Sequence, residues 1–418
     1  MTEASSKAHT RRSTCRICGG TELEVFLELG PMPLANSFLR DTSEVSSEGA
    51  YPLDVVFCGA CSAIQTPDVI DAELLFANYI YVSGTSDTIA SHYAEYSQSV
   101  VSALDIGRND LVVEIASNDG SLLRAFQEHE VRTLGVEPAA NIAQIAREAG
   151  VETVCEFFDS KIAADVLERY GPARAVVANN VFAHVDHTVD FLRGCKDLLA
   201  EDGRVVIEVP YLGELLNRVE YDTIYHEHLC YFSISVMARL CEEVGLSVIQ
   251  VDHVAVHGGS LRVQAGCVEH YGQHAQSVRD QIGEEQAQGF NDVVRYKQFA
   301  EQVAENRREV RELLMRLRDE GKTVAGYGAP AKGNTLLNWC GVGTDLLSYT
   351  VDKNPMKVGM LTPGTHIPVL DAAVLLERQP DYVLILAWNF AEEIMRQQSE
   401  YAALGGRFII PVPKPVIV

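Results

Sequence analysis

The sequence predicts an α/β protein with a small N-terminal zinc module followed by two Rossmann-like, doubly wound domains. Three observations predict it. From Leu111 onward, apolar strand-like runs alternate with helical segments, the pattern of a parallel sheet covered on both faces. From Lys322 a second series of the same kind begins, and two Cys-x-x-Cys pairs stand ahead of both. The 418 residues suffice for two or three domains, and 47% hydrophobic with 22% charged residues excludes global disorder. The 34 basic and 58 acidic residues give a net charge of -24, a field that repels phosphate backbones and argues against nucleic acid as a partner. No apolar run approaches the roughly 20 residues of a membrane span. The N-terminal MTEASSKAHTRRST lacks the apolar stretch of a secretory signal, so a reducing, cytoplasmic location is expected. The 10 cysteines are then expected as thiols or metal ligands.

In chain order, residues 1–13 read as a disordered tail and 14–70 as the zinc module, with short strands near Val25–Leu29 and Leu53–Phe57. Cys15-x-x-Cys18 and Cys58-x-x-Cys61 each offer a two-thiolate bite, and together they complete a tetrahedral, closed and therefore structural zinc site. The 39 residues between the pairs exceed the gap of a compact ribbon and leave room for an inserted hairpin. Two unrelated cysteine pairs are the alternative. Residues 71–272 form the middle domain with a helical lead-in, its strands at 111–117, 132–138, 173–181 and 203–210. Residues 273–320 read as a helical bridge ending at Gly321, and 321–418 as the C-terminal domain, with later strands in 346–355, 381–388 and 407–412.

The loop E-I-A-S-N-D-G (114–120) follows a strand and opens a helix. It does not spell the G-x-G-x-x-G of nicotinamide binders. An acidic loop with one glycine suits a cationic sulfonium carrying an amino acid, which is S-adenosylmethionine. Ala116, Asn118, Asp119 and Gly120 line it, Glu137 at the next strand end suits the ribose hydroxyls, and Phe158 with Asp159 suits adenine. N-N-V-F-A-H (179–184) places Asn180 and His184 at another strand end. Y-D-T-I-Y-H-E-H (221–228) gathers Tyr225, His226, Glu227 and His228, where an imidazole is suited to general-base work near neutral pH. That knot lacks the spacing of two metal-binding histidines on one helical face. Tyr79, in N-Y-I-Y, is placed to close over a substrate. In the C-terminal domain, G-Y-G-A-P-A-K-G-N (326–334) offers a diphosphate cradle with Tyr327, Lys332 and Asn334. Asp352 and Lys353 in V-D-K-N-P and Asn389 in A-W-N-F sit at later strand ends, and His257, Ser260 and Arg262 form a basic, polar segment that reaches toward phosphates.

Taken together, the Cys pairs, E-I-A-S-N-D-G, N-N-V-F-A-H, Y-H-E-H and H-G-G-S-L-R (257–262) resemble the nucleotide-sugar C-methyltransferases of deoxysugar biosynthesis over nearly the whole chain. The resemblance implies a zinc module, a central S-adenosylmethionine domain and a C-terminal domain that helps hold a nucleotide sugar. It implies methylation of a ring carbon beside a 4-keto group, in several members C-3 of a TDP-linked sugar. By motif, His228 matches the base, Tyr225 and Glu227 its neighbours, and Asn180, His184 and Tyr79 the substrate contacts; Glu227 is expected to orient the His228 ring or support its imidazolium. C-5 methylation, an O- or N-methyltransferase and a non-catalytic zinc-ribbon binding protein remain as alternatives.

Overall fold

The computed structural model describes residues 8–76, 87–255 and 258–418, the side chains of 87–89 excepted. Tyr79 and His257 therefore lie outside the described residues.

The N-terminal strands are β1 (His9–Arg11), β2 (Leu23–Met32), β3 (Tyr51–Cys58), β4 (Ile64–Gln65) and β5 (Asp68–Ile70). β2 and β3 pair antiparallel, β3 pairs with β4, and β1 pairs with β5. β2 alternates exposed and buried positions in its middle, as a sheet with one wet face requires.

The middle unit has β6 (Leu111–Ile115), β7 (Arg132–Val136), β8 (Thr153–Val154), β9 (Ala173–Asn179), β10 (Leu199–Pro210), β11 (Cys230–Tyr231), β12 (Leu246–Val254) and β13 (Ser260–Cys267). Seven of them form one sheet in the order β12-β13-β10-β9-β6-β7-β8. β6 reads LVVEI with every residue buried, because helices cover both faces. β8, β7, β6, β9 and β10 run parallel, β13 pairs antiparallel with β10, and β12 pairs antiparallel with β13. The strand order reverses between β6 and β9, which opens a crevice at their carboxyl ends.

β11 leaves that sheet and pairs with β4, completing the four-stranded N-terminal sheet β11-β4-β3-β2. The expected boundary at residue 70 thus does not enclose a self-sufficient module. The chain just after Tyr225–His228 supplies its last strand.

The C-terminal unit has β14 (Val324–Tyr327), β15 (Thr350–Asp352), β16 (Val369–Asp371), β17 (Tyr382–Ile385), β18 (Arg407–Ile410) and β19 (Val416–Ile417). Their order, β16-β15-β14-β17-β18-β19, repeats the middle topology over its five parallel strands, and β19 is antiparallel.

The expected bridge is two helices, Gln276–Ala287 and Val293–Asp319. Gly289 at φ 80 breaks them, and the Asp292 side chain caps the amide of Val294 at 2.9 Å. The longer helix buries Tyr296, Phe299, Val303, Val310, Leu314 and Leu317 at helical spacing, and one core joins this stripe to β2, β3 and the C-terminal sheet. Asn306 interrupts the stripe but is fully used. Its Nδ2 donates to the carbonyls of Pro411 and Pro413, and its Oδ1 accepts from Tyr221 Oη at 2.8 Å. No described helix is long and apolar enough to cross a membrane.

Candidate active site

The four cysteines meet as their spacing predicts. All four sulfurs lie within 4.8 Å of one another, with Cys15–Cys61 and Cys18–Cys58 at 3.6 Å. Four thiolates around zinc at about 2.3 Å stand about 3.8 Å apart, so the cluster fits that metal. Gln65 Nε2 and the amides of Ile17 and Gly20 donate to the Cys15 and Cys18 sulfurs, as donors around a metal thiolate do. Among the described residues this is the one cluster with metal-ligand geometry. His226 and His228 do not form another, because their rings face different partners.

The cofactor loop follows β6. Ala116, Asn118 and Gly120 all hold positive φ, at 54, 49 and 74°. At Gly120 a Cβ would meet Val151 at 2.8 Å, so only glycine fits the helix start. Glu137 ends β7 and accepts the amides of Asn118 and Ala139, each at 2.9 Å. Three acids converge here. Burial raises the Glu114 pKa well above the usual range, and the charges of Asp119 and Glu137 add to the rise. Glu114 Oε2 is buried without a hydrogen-bond partner. Such a set of acidic acceptors fits a cationic sulfonium with an ammonium end, and it does not fit an anion. Asp159 Oδ1 caps the helix Ser160–Tyr170 through two amides at 2.9 Å, and Phe158 stacks edge-on against Phe191 at 5.3 Å.

The candidate reacting centre lies at the carboxyl ends of the same sheet's strands. β9 ends at Asn179, Asn180 turns at φ 54°, and the 3-10 turn Phe182–His184 delivers His184. The His184 and His228 rings meet at right angles, 4.8 Å between centroids. Burial pushes the His184 pKa down to about 4, so this ring is neutral near pH 7. His228 Nδ1 lies 2.7 Å from the Thr223 carbonyl oxygen. A carbonyl only accepts, so Nδ1 carries the proton and Nε2 of the neutral ring keeps its lone pair. Tyr225 Oη sits 2.8 Å from that Nε2 and donates to it.

One expectation about this knot needs correcting. Glu227 does not orient the His228 ring. It points to the N-terminal unit, where it accepts from Asn36 Nδ2 at 2.7 Å, and burial pushes its pKa up to about 7. The orienting group is the Thr223 carbonyl, a backbone atom that side-chain patterns cannot reveal. His226, buried, donates from Nε2 to the Tyr51 and Pro52 carbonyls and pins the knot to β3.

The expected nucleotide-sugar residues scatter. Arg262 is corrected: it lies within β13, its guanidinium donates to Glu208 Oε2 at 3.0 and 2.9 Å, and it stacks on Tyr96 at 4.2 Å. Buried and already paired, it is not free to meet phosphates. Ser260 is buried at the start of the same strand. Asn334 Nδ2 donates to the Ala35 carbonyl at 2.7 Å, while its Oδ1 is buried without a hydrogen-bond partner. Lys332 opens the helix Ala331–Cys340 and lies 4.5 Å over Trp388, with the buried acids Glu220 and Asp222 as its partners in charge. Asp352 accepts the amides of Ala329 and Asn354. Lys353 bonds Gln397 at the surface, Tyr327 Oη accepts from Gln398, and Asn389 lies in the turn Trp388–Phe390. Sequence reasoning missed buried Lys357, which donates to the Ala329 carbonyl at 2.8 Å and lies over Phe38.

Three family models match in succession: "Putative zinc binding domain" over residues 15–76, "Methyltransferase domain" over 90–251 and "C-methyltransferase C-terminal domain" over 255–413. The chain is also 38% identical to C-methyltransferase NovU of Streptomyces niveus, over 97% of this chain and 96% of that one. The chain belongs to this C-methyltransferase family. It is an S-adenosylmethionine-dependent methyltransferase with a zinc-binding N-terminal unit. Solved structures similar to parts of it include magnesium protoporphyrin IX methyltransferase of Synechocystis PCC 6803 with bound SAM, at 12% identity, 45% of this chain, 88% of that one and a TM-score of 0.33. The CcbJ methyltransferase of Streptomyces caelestis is 15% identical over 42% of this chain and 89% of that one, with a TM-score of 0.33.

Proposed function

We propose that this C-methyltransferase methylates a ring carbon, C-3 by preference, beside the 4-keto group of a TDP-linked deoxysugar of the antibiotic type. The observation that carries the reading is the His228 ring, held by the Thr223 carbonyl in the tautomer whose Nε2 can take a proton. A carbon beside a ketone becomes a nucleophile only after losing a proton, whereas an O- or N-methyltransferase needs no such base.

Bound S-adenosylmethionine supplies an electrophilic methyl whose departing electron pair stays on sulfur. The loop Ala116–Gly120 and Glu137 would hold it, with Glu114 behind the loop toward its positive end and Phe158 and Asp159 beside the adenine. The substrate proton travels toward Nε2 through Tyr225 Oη, which already donates to that atom. The electron pair left on carbon spreads to the keto oxygen, where Asn180 and neutral His184 serve as donors. Tyr79 and His257 keep their sequence-based roles as substrate contacts. Lys332, Tyr327, Asp352 and Asn389 of the C-terminal unit take the nucleotide, with Lys332 shared between substrate and the acids Glu220 and Asp222.

The test is a panel of TDP-4-keto-deoxysugars, incubated in deuterated water with and without S-adenosylmethionine and read by mass spectrometry. Deuterium enters a ring carbon without the cofactor, and a carbon-bound methyl appears with it. A methyl on oxygen or nitrogen, with no exchange, refutes the proposal.

A further inference from the structure

We propose that Arg16, inside the first zinc knuckle, is a positioning residue that keeps the two loops of the reacting centre in register. The inference rests on the reading of His228 as the base and goes beyond it. One loop carries His184 and the other carries His228, and Arg16 reaches both. Its Nε donates to Asp186, two residues past His184, at 2.8 Å. Its Nη1 donates to the carbonyls of Thr66 at 2.6 Å and Leu229, next to His228, at 3.3 Å. The loops also touch directly, Leu229 N donating to the Ala183 carbonyl at 2.7 Å. Thr66 closes the set, its amide donating to the Leu229 carbonyl at 3.1 Å and its hydroxyl to that of His228 at 3.3 Å.

The guanidinium is itself rigidly placed. Cys15 and Cys18 flank it in the chain, and its own amide donates to Gln65 Oε1 at 3.0 Å while Gln65 Nε2 donates to the Cys15 sulfur. The position of the metal site is thereby passed on to both loops. A planar fork can span a carboxylate and two carbonyls at once, which a lysine point charge cannot. The Arg16 side chain has 0% exposure and Asp186 26%. A buried ion pair stabilises a fold weakly for what it costs in desolvation, so the geometry it imposes is the better account of its presence.

The test uses the full-length, zinc-loaded enzyme and the panel sugar turned over fastest. Asp186→Asn, at a partly exposed site, and Arg16→Lys are expected to keep one zinc per chain, the native affinity for S-adenosylmethionine and a sugar KM within about twofold. Their kcat is expected to fall about 10–10²-fold, as a misplacement of about 1 Å can cause. The double variant is expected to lose less than the product of the two single effects, because both changes weaken the Arg16–Asp186 contact, although Asp186 also pairs with Arg12 at 3.0 Å. A role confined to stability instead predicts loss of zinc or of folded fraction, with native kcat per folded, zinc-loaded molecule, and that result overturns the inference. Should Arg16→Lys fail to fold, Asp186→Asn decides. His228→Asn is run in parallel. If it turns over at the native rate, the base assignment falls. If it is slow while folded Asp186→Asn is native in kcat, only the positioning role falls.

Discussion

The middle and C-terminal units share a topology and even a hydrogen-bond device. In both, an acid at the end of the second strand accepts the amide of the first strand–helix loop and the amide two residues on: Glu137 from Asn118 and Ala139, Asp352 from Ala329 and Asn354. What surrounds the device differs. The middle loop has three residues at positive φ, three converging acids and an unpartnered buried carboxylate oxygen. The C-terminal loop has two of its carbonyls answered, Lys357 donating to Ala329 and Thr350 Oγ1 to Gly328, while Lys332 Nζ and Asn334 Oδ1 are buried there without a hydrogen-bond partner. Equal folds thus carry unequal sites, and the sign of the unmet charged group, a carboxylate in the middle loop and an ammonium in the C-terminal one, tells them apart.

That contrast can be broken in several ways. The largest expected effect is that of Cys58→Ser. Loss of a closed zinc site takes away metal-derived folding energy. Zinc content by elemental analysis is expected to fall to near zero, turnover to vanish, and limited proteolysis to cut around β11 before the C-terminal sheet. His228→Asn follows, with turnover down about 10²–10⁴-fold and both substrates still bound. His226→Asn, which lies against backbone carbonyls, is expected to lower thermal stability more than turnover. If His226→Asn is the dead variant, the base lies two positions earlier than assigned.

The two acids test the comparison itself. Glu137→Ala is expected to weaken S-adenosylmethionine binding by about 1–3 kcal/mol, the worth of a hydrogen bond to a charged group. Asp352→Ala should leave that affinity unchanged in calorimetry. Equal losses would mean that the two loops are not distinct in function.

The smallest effect concerns pH. Glu227 has a folded pKa raised to about 7 by burial, so the folded state keeps a proton that the unfolded state has released. Stability from this group therefore falls as pH rises from about 4.5 to about 7 and is level above. His184, lowered to about 4, has the opposite sign: its contribution grows as pH rises from about 4 to about 6.5. Glu227→Gln keeps the acceptor for Asn36 and removes the ionisation. Its unfolding temperature relative to the parent is expected to be higher at pH 8 than at pH 5, and an unchanged difference would show that Glu227 is ionised in both states.

Much of this was legible in the sequence, for physical reasons. The continuous apolar runs of β6, β9 and β17 and the bite spacing of the cysteines are local signals, and both reappear in space. β12 and β13 were not read as strands. Asp252 and His253 blur the end of β12, and the segment into β13 was read for its chemistry, which put Arg262 at a phosphate rather than at Glu208 in the next strand. The groups that organise the site were the least legible. The Thr223 carbonyl is backbone, Arg16 acts across more than 200 residues to Leu229, and Asn36 holds Glu227 from another unit. No spacing rule links such partners.

The pairing of β11 with β4 sets an order of events during synthesis. Gln65 and Cys230 face each other across 165 positions of chain, so the first sheet leaves the ribosome with an open edge. At about 5–20 residues per second that edge waits roughly 10–30 s for its last strand. A metal ion captured by Cys15, Cys18, Cys58 and Cys61 in that interval would hold β2, β3 and β4 together while the rest of the chain is still being made. The strand that closes the edge closely follows His228, so the loop proposed to carry the base is fastened only when the oldest and newer parts of the chain meet.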